Sequence, residues 1–103
     1  MKYRLIITER AETLLDGLVR YLLNDLQNED AAIHLLDSVE HLYDRLEDNP
    51  FQFPRCRDDH LSHLGYREGI LSDMKYIVIF KIEEVTVYVL GIFHELEYYK
   101  NKL

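Results

Sequence analysis

Tyr3, Leu5 and Ile7 alternate with Arg4 and Ile6, a period of two that predicts a short N-terminal strand. The period then changes. Ala11, Leu14, Leu15, Leu18, Leu22 and Leu26 recur three and four apart, predicting an amphipathic helix through about residue 27, capped by Thr8 with Glu9 in its first turn. Gly17 inside this helix costs roughly 1 kcal/mol relative to Ala, and it is either tolerated or admits a closely approaching second helix. Asn28, Glu29 and Asp30 carry the capping and first-turn chemistry of a second helix. Ile33, Leu35, Leu36, Val39, Leu42, Tyr43 and Leu46 continue it until Asn49 and Pro50 stop it. The short link between the two predicts an antiparallel helical hairpin.

After Pro50 the stretch "FQFPRCRDDHLSHLG" has no sustained period and is expected to be a loop with at most a brief helical turn. Three strand candidates follow, over residues 66–71, 75–82 and 85–93. The middle one, "KYIVIFKI", is apolar on both parities, as expected of a central strand covered on both faces or of a surface covered by a partner. The join at Glu83 and Glu84 is tight but lacks an Asn-Gly turn. Strand, two helices and three strands make an α+β domain: the hairpin lies on one face of a mostly antiparallel sheet.

Composition narrows this picture. A chain of 103 residues with 48% apolar content suits one domain over 1–103, and it shows no repeat, low-complexity tract or flexible linker. The opening "MKYRLIITER" is too short an apolar run for a signal peptide, and no apolar run approaches the ~20 residues of a membrane span. The lone Cys56 fits a reducing compartment, so a cytoplasmic protein is expected, with no membrane partner.

The net charge of −7 disfavours a chain that wraps the phosphate backbone. The charge is unevenly spread. Residues 8–48 hold eleven acids against Arg10, Arg20 and Arg45, a net of −8, and the remainder of the chain nets +1.

The order of these segments resembles the RelE/ParE superfamily of toxins from bacterial type II toxin–antitoxin pairs. The resemblance is carried by "KYRLIITERAETLLDGLVRYL", "LYDRLEDNPFQFP", "LGYREGIL", "MKYIVIFKIEEVTVYVLGIFH" and the end "EYYKNKL", and covers nearly the whole chain. It implies a toxin silenced by a cognate antitoxin. RelE-like members cut messenger RNA in the ribosomal A site without a metal, whereas ParE-like members poison DNA gyrase by binding it. A degenerate member that is no longer toxic is a further alternative. Either a homodimer or a hetero-oligomer with the antitoxin is open, and no cofactor is expected.

Metal-free RNA cleavage needs a base, an acid and cations for the charge that builds on phosphate. Arg67 in "GYRE" matches an arginine that ribonuclease members use for phosphate, and it equally fits a strand arginine paired with Glu68 or Asp73. His94 matches a family histidine that is catalytic in some ribonucleases, and it also fits a hydrogen-bonding end of the sheet. Two departures count against cleavage. The central strand carries Ile77 and Phe80 where relatives have Arg and Tyr, and His94 is followed by Glu95 and Glu97 where relatives carry arginines.

Arg55, Arg57, Arg67, Lys75 and Lys81 are the basic residues that can gather on one face of the sheet, toward an anion or toward an acidic antitoxin. Tyr98 with Tyr99 is a candidate stacking or packing pair. His60 and His63 beside Asp58 and Asp59 lack a third ligand at a definite spacing, so a solvated loop is expected there and no metal. His34 and His41 are expected on an exposed charged helix face. Cys56 between Arg55 and Arg57 is placed to have a lowered pKa, though no thiol-enzyme signature accompanies it. The reading that follows is a toxin-fold subunit acting by protein binding, with ribosome-dependent cleavage by Arg67 and His94 as the alternative.

Overall fold

The computed structural model describes residues 2–71 and 74–95. Tyr98 and Tyr99 lie outside the described residues. Strand β1 spans Arg4–Ile7 and helix α1 spans Glu9–Arg20. The Thr8 side chain caps α1 by accepting the Ala11 N–H at 3.2 Å, and its hydroxyl donates to the Val89 carbonyl at 2.7 Å. One threonine thus ends the strand, starts the helix and ties both to the last strand.

The helix does not continue regularly to residue 27. It widens into a π-helical turn over Tyr21–Asp25, closed by Leu26 N–H donating to the Tyr21 carbonyl, and Gln27 turns the chain with a left-handed φ of 49°. Asn28 then caps helix α2, Glu29–Asp48, by accepting the Ala31 N–H at 3.1 Å. Gly17 is exposed, and a Cβ there would meet nothing within 4 Å, so it is a tolerated glycine and no helix crosses closely at it.

Pro50–Gln52 form a 3₁₀ turn, and Asp58 caps a short helix α3, Asp59–His63. Strands β2 (Arg67–Ile70), β3 (Tyr76–Glu83) and β4 (Thr86–His94) follow, each within one residue of its predicted bounds at both ends. The sheet order is β1-β4-β3-β2. β1 runs parallel to β4, and the other pairs are antiparallel. The β3–β4 turn is made by Glu84 in the left-handed region at φ 55°, standing in for the missing glycine or asparagine.

The main core joins Leu35, Val39, Leu42 and Leu46 of α2 to Val78 and Phe80 of β3 and to Val87, Val89 and Ile92 of β4. A second cluster covers the opposite face of β3, where Ile77, Ile79 and Phe93 meet Cys56 and Leu61. Both faces of the central strand are therefore covered by this chain itself. The apolar character of "KYIVIFKI" is explained without a partner on its second face.

A β-bulge between Ile79 and Phe80 is the register shift that leaves Leu90 of β4 unpaired and lets both clusters fill. Gly91, just past it, is required by packing. A Cβ there would lie 2.7 Å from one ring atom of Phe93, which is fully buried, and 3.2 Å from Leu14. Gly91→Ala is expected to destabilise the fold by about 1–3 kcal/mol through overpacking. Urea denaturation measures this as a lower midpoint at unchanged slope.

Candidate functional site

The basic residues separate into three places. The first is the β2 edge. Residues 54–56 run antiparallel beside β2, with Cys56 N–H donating to the Tyr66 carbonyl at 3.0 Å and Glu68 N–H to the Pro54 carbonyl at 3.1 Å, so that Arg55 and Arg67 form a bridge pair. Glu68 is the buried charged residue of this assembly, only 2% exposed. Its carboxylate accepts the Arg57 backbone N–H at 2.9 Å and Arg57 Nε at 3.1 Å, while the Arg57 side chain stays 67% exposed. A buried carboxylate without such donors is strongly disfavoured, so this pair fixes where the loop sits.

Arg67 is held by the same loop. Its guanidinium donates to the Phe53 carbonyl at 2.6 Å and lies over the Phe51 ring at 5.1 Å, whereas Glu68 is engaged by Arg57, and Asp73 lies outside the described residues. Arg45 reaches the same corner from α2, stacking over Phe53 at 4.7 Å and donating from Nε and a terminal nitrogen to Gln52 Oε1. These arginines act on a backbone carbonyl, a side-chain amide oxygen and rings of the chain itself.

The second place is the far end of β3. Tyr76 pairs with His94 across the strands, and their rings meet edge to face at 5.6 Å. His94 is half-buried, Lys75 and Glu95 are exposed, and Glu95 N–H donates to the Lys75 carbonyl. In register Arg67 lies opposite Phe80, so Arg67 and His94 are separated by four residues along β3 and by two strand spacings across the sheet. That is about 13 Å along and about 10 Å across. The fold does not bring the two candidate catalytic residues together.

The third place is Lys81, whose ammonium pairs with Glu83 at 2.8 Å and lies over the Tyr88 ring at 5.3 Å. The hydrogen bond that Lys81 donates to Glu83 holds its pKa above the ordinary lysine value. By strand alternation Lys81 points away from the face that carries Arg67 and His94. The five basic candidates therefore form no common patch, although Arg55, Arg57 and Arg67 share the β2 edge.

Two positions that depart from the family pattern have a structural role. Ile77 is 1% exposed and Phe80 fully buried, each in one of the two apolar clusters. An arginine at the first position would enter an apolar cluster.

Cys56 is buried, and its thiol is pushed up to about 12 by that burial, with the Glu68 and Asp58 charges adding to it. The flanking arginines do not activate it, contrary to expectation. His60 and His63 lie exposed on α3, and among the described residues no group of three or more His, Cys, Asp or Glu is arranged to hold a metal ion. No described helix is long and apolar enough to cross a membrane.

One feature escaped sequence reasoning. A groove of about 210 Å³ runs between α2 and the end of β2, lined by His34, Asp37, His41 and Arg45 from the helix and by Ile70 from the strand. Ile70 is 52% exposed on an edge strand whose outer side residues 54–56 cover only as far as Glu68. An exposed isoleucine in a strand was the available signal, but its neighbour on α2 depends on tertiary packing.

Comparison with known proteins adds the following. The profile of a family described as "ParE toxin of type II toxin-antitoxin system, parDE" matches residues 5–99. A solved structure described as the chromosomal ParDE TA system from P. aeruginosa is similar in fold, with a TM-score of 0.73 at 16% identity, covering 90% of this chain and 96% of that one. No curated protein matches the chain in sequence.

The Cys56 environment predicts a specific alkaline response. A folded-state pKa raised from 9.0 to about 12 means that thiol protonation contributes stability that is complete below pH 9 and is lost as pH rises toward 12. Tyr43, also raised to about 12 by burial and by Glu12, acts in the same direction above pH 10. Equilibrium unfolding from pH 8 to 11 is expected to show stability falling with pH, and Cys56→Ala should flatten that slope. Iodoacetamide is expected to label Cys56 far more slowly in the native protein than after unfolding.

Proposed function

The chain belongs to the ParE toxin family of type II toxin–antitoxin systems, and we propose that it arrests growth by binding a protein target, such as DNA gyrase, and is neutralised by a cognate antitoxin. The observation that carries this reading is the match across residues 5–99, joined to a fold whose elements follow the same order. Protein binding is favoured over cleavage by how the cations are used. Arg67 is engaged by the Phe53 carbonyl, Lys81 by Glu83, and the family's other arginine and tyrosine positions are core residues.

Phosphoryl chemistry without a metal depends on cations preorganised around the reacting phosphate. His94 here stands beside Glu95, roughly 16 Å in sheet geometry from Arg67, so it lacks that setting. A binding toxin needs no such constellation. It needs a rigid scaffold with complementary surfaces, and the net −8 of residues 8–48 gives this chain a strongly acidic helical face to present.

Induced expression in bacteria tests the reading. Growth is expected to stop with the chain alone and to recover on co-expression of the adjacent open reading frame. The purified chain is expected to inhibit gyrase supercoiling and to leave messenger RNA uncut in translating-ribosome extracts. Unaffected growth, together with no binding by the adjacent product, would remove the toxin reading. Cuts at the A site that disappear in His94→Ala would replace protein binding by cleavage.

A further inference from the structure

Strand β2 ends on an edge that is only half covered. Glu68 N–H points outward and donates to the Pro54 carbonyl, whereas Leu71 N–H points inward and donates to the Tyr76 carbonyl. By strand alternation the N–H and C=O of Ile70 point outward as those of Glu68 do, and among the described residues no backbone hydrogen bond meets them. An open edge of this kind is a template for one more extended segment.

The groove beside this edge is shaped to take side chains. A Cβ at Gly69 would lie 3.0 Å from Leu42, so α2 comes down directly on β2 at that point. Past Gly69 lies the cavity of about 210 Å³, lined by the buried Leu42 and Leu71, by exposed Ile70 of the strand and by exposed Asp37 and His41 of the helix.

Chain geometry says what reaches it. Glu95, whose N–H donates to the Lys75 carbonyl, stands beside the Tyr76–His94 pair at the same end of the sheet as Leu71. From there the outer side of β2 is three strand spacings away, about 15 Å, and Ile70 lies two residues back along the strands, about 7 Å. The direct span is about 16 Å. Residues 96–103, "LEYYKNKL", reach about 26–29 Å when extended.

Charge agrees with reach. Lys100 and Lys102 against Glu97 give this segment a net +1, and α2 carries seven acids against Arg45, with Asp37 and Asp44 two turns apart on the groove side. A second copy of the chain would bring a net charge of −7 to an equally acidic surface, and like charges disfavour that contact.

We propose that the occupant of this groove is the chain's own segment 96–103, which folds back round the end of the sheet and runs antiparallel to β2 along its open edge. It accepts the Ile70 N–H, sets Tyr98 and Tyr99 against Ile70 and into the groove, and brings Lys100 and Lys102 toward Asp37 and Asp44. The docking does not depend on the toxin reading. It closes the one stretch of β2 that residues 54–56 leave open, and takes the exposed isoleucine out of water.

Amide hydrogen exchange of the full chain, read residue by residue by NMR, tests the docking. The Ile70 amide is expected to exchange about tenfold or more slowly than an unprotected amide. Tyr98→Ser with Tyr99→Ser is expected to return it to the unprotected rate, and Lys100→Glu with Lys102→Glu to speed it severalfold. Amides of Val78 and Phe80 in the core report that the fold of each variant is intact.

An unprotected Ile70 amide in the wild-type chain overturns the docking. Protection that survives the serine pair overturns residues 96–103 as the occupant, and protection that survives the glutamate pair overturns the part played by charge. Protection that rises with protein concentration, with a dimer in sedimentation, gives the groove to a second copy and overturns the proposal.

Discussion

A carboxylate taken out of water must be met by donors, and Glu68 meets that demand through one residue, Arg57, which supplies both its backbone N–H and its Nε. Removing a donor from a buried carboxylate costs about 1–3 kcal/mol, here at the smaller end because the Arg57 side chain is itself largely exposed. Much of the second half of the chain depends on this clasp. It holds residues 54–56 against the β2 edge, which brings Cys56 and, through the capped α3, Leu61 over Ile77 and Ile79. It also fixes the Phe53 carbonyl where Arg67 donates to it. Without the clasp, one face of the central strand would lose Cys56 and Leu61 from its cover.

The same constraint shapes function. Arg67 is engaged by a backbone carbonyl and positions 77 and 80 are filled with core side chains, which is what favours binding over cleavage in the proposed reading. The scaffold is a rigid sheet with a long acidic hairpin standing on it. Phe53 is the joint between the two halves: it packs in the main core, meets Phe80 edge to face at 5.8 Å, and receives the Arg45 guanidinium over its ring. The hairpin is thereby anchored to the sheet through α2, while its turn remains exposed for contact.

Local signals carried far along the chain. The helices were legible because their apolar period is 3.6 and because Thr8 and Asn28 are strong caps whose side chains do what capping chemistry requires. The strands were legible from apolar runs bounded by turn residues. The π-turn at Tyr21–Asp25 was hidden, since the spacing of Leu18, Leu22 and Leu26 reads as a regular stripe in sequence, whereas the turn leaves Leu22 buried and Leu26 53% exposed. Long-range facts were hidden for a different reason. The parallel pairing of β1 with β4, the cover on the second face of β3 and the order of the loop after Pro50 depend on contacts between distant residues, of which Glu68 with Arg57 is the clearest.

The site was less legible than the fold. The family pattern singled out Arg67 and His94, but a strand arginine reads the same in sequence whether it faces a phosphate or a carbonyl. The unfolding free energy of Arg67→Ala separates these roles most directly. An arginine that holds the fold through its charged hydrogen bond to Phe53 and its stacking on Phe51 is predicted to cost about 1.5–3 kcal/mol when truncated, read as a lower urea midpoint. Stability unchanged within about 0.5 kcal/mol, or raised, would mean that Arg67 is held in reserve for a ligand, and would contradict the account.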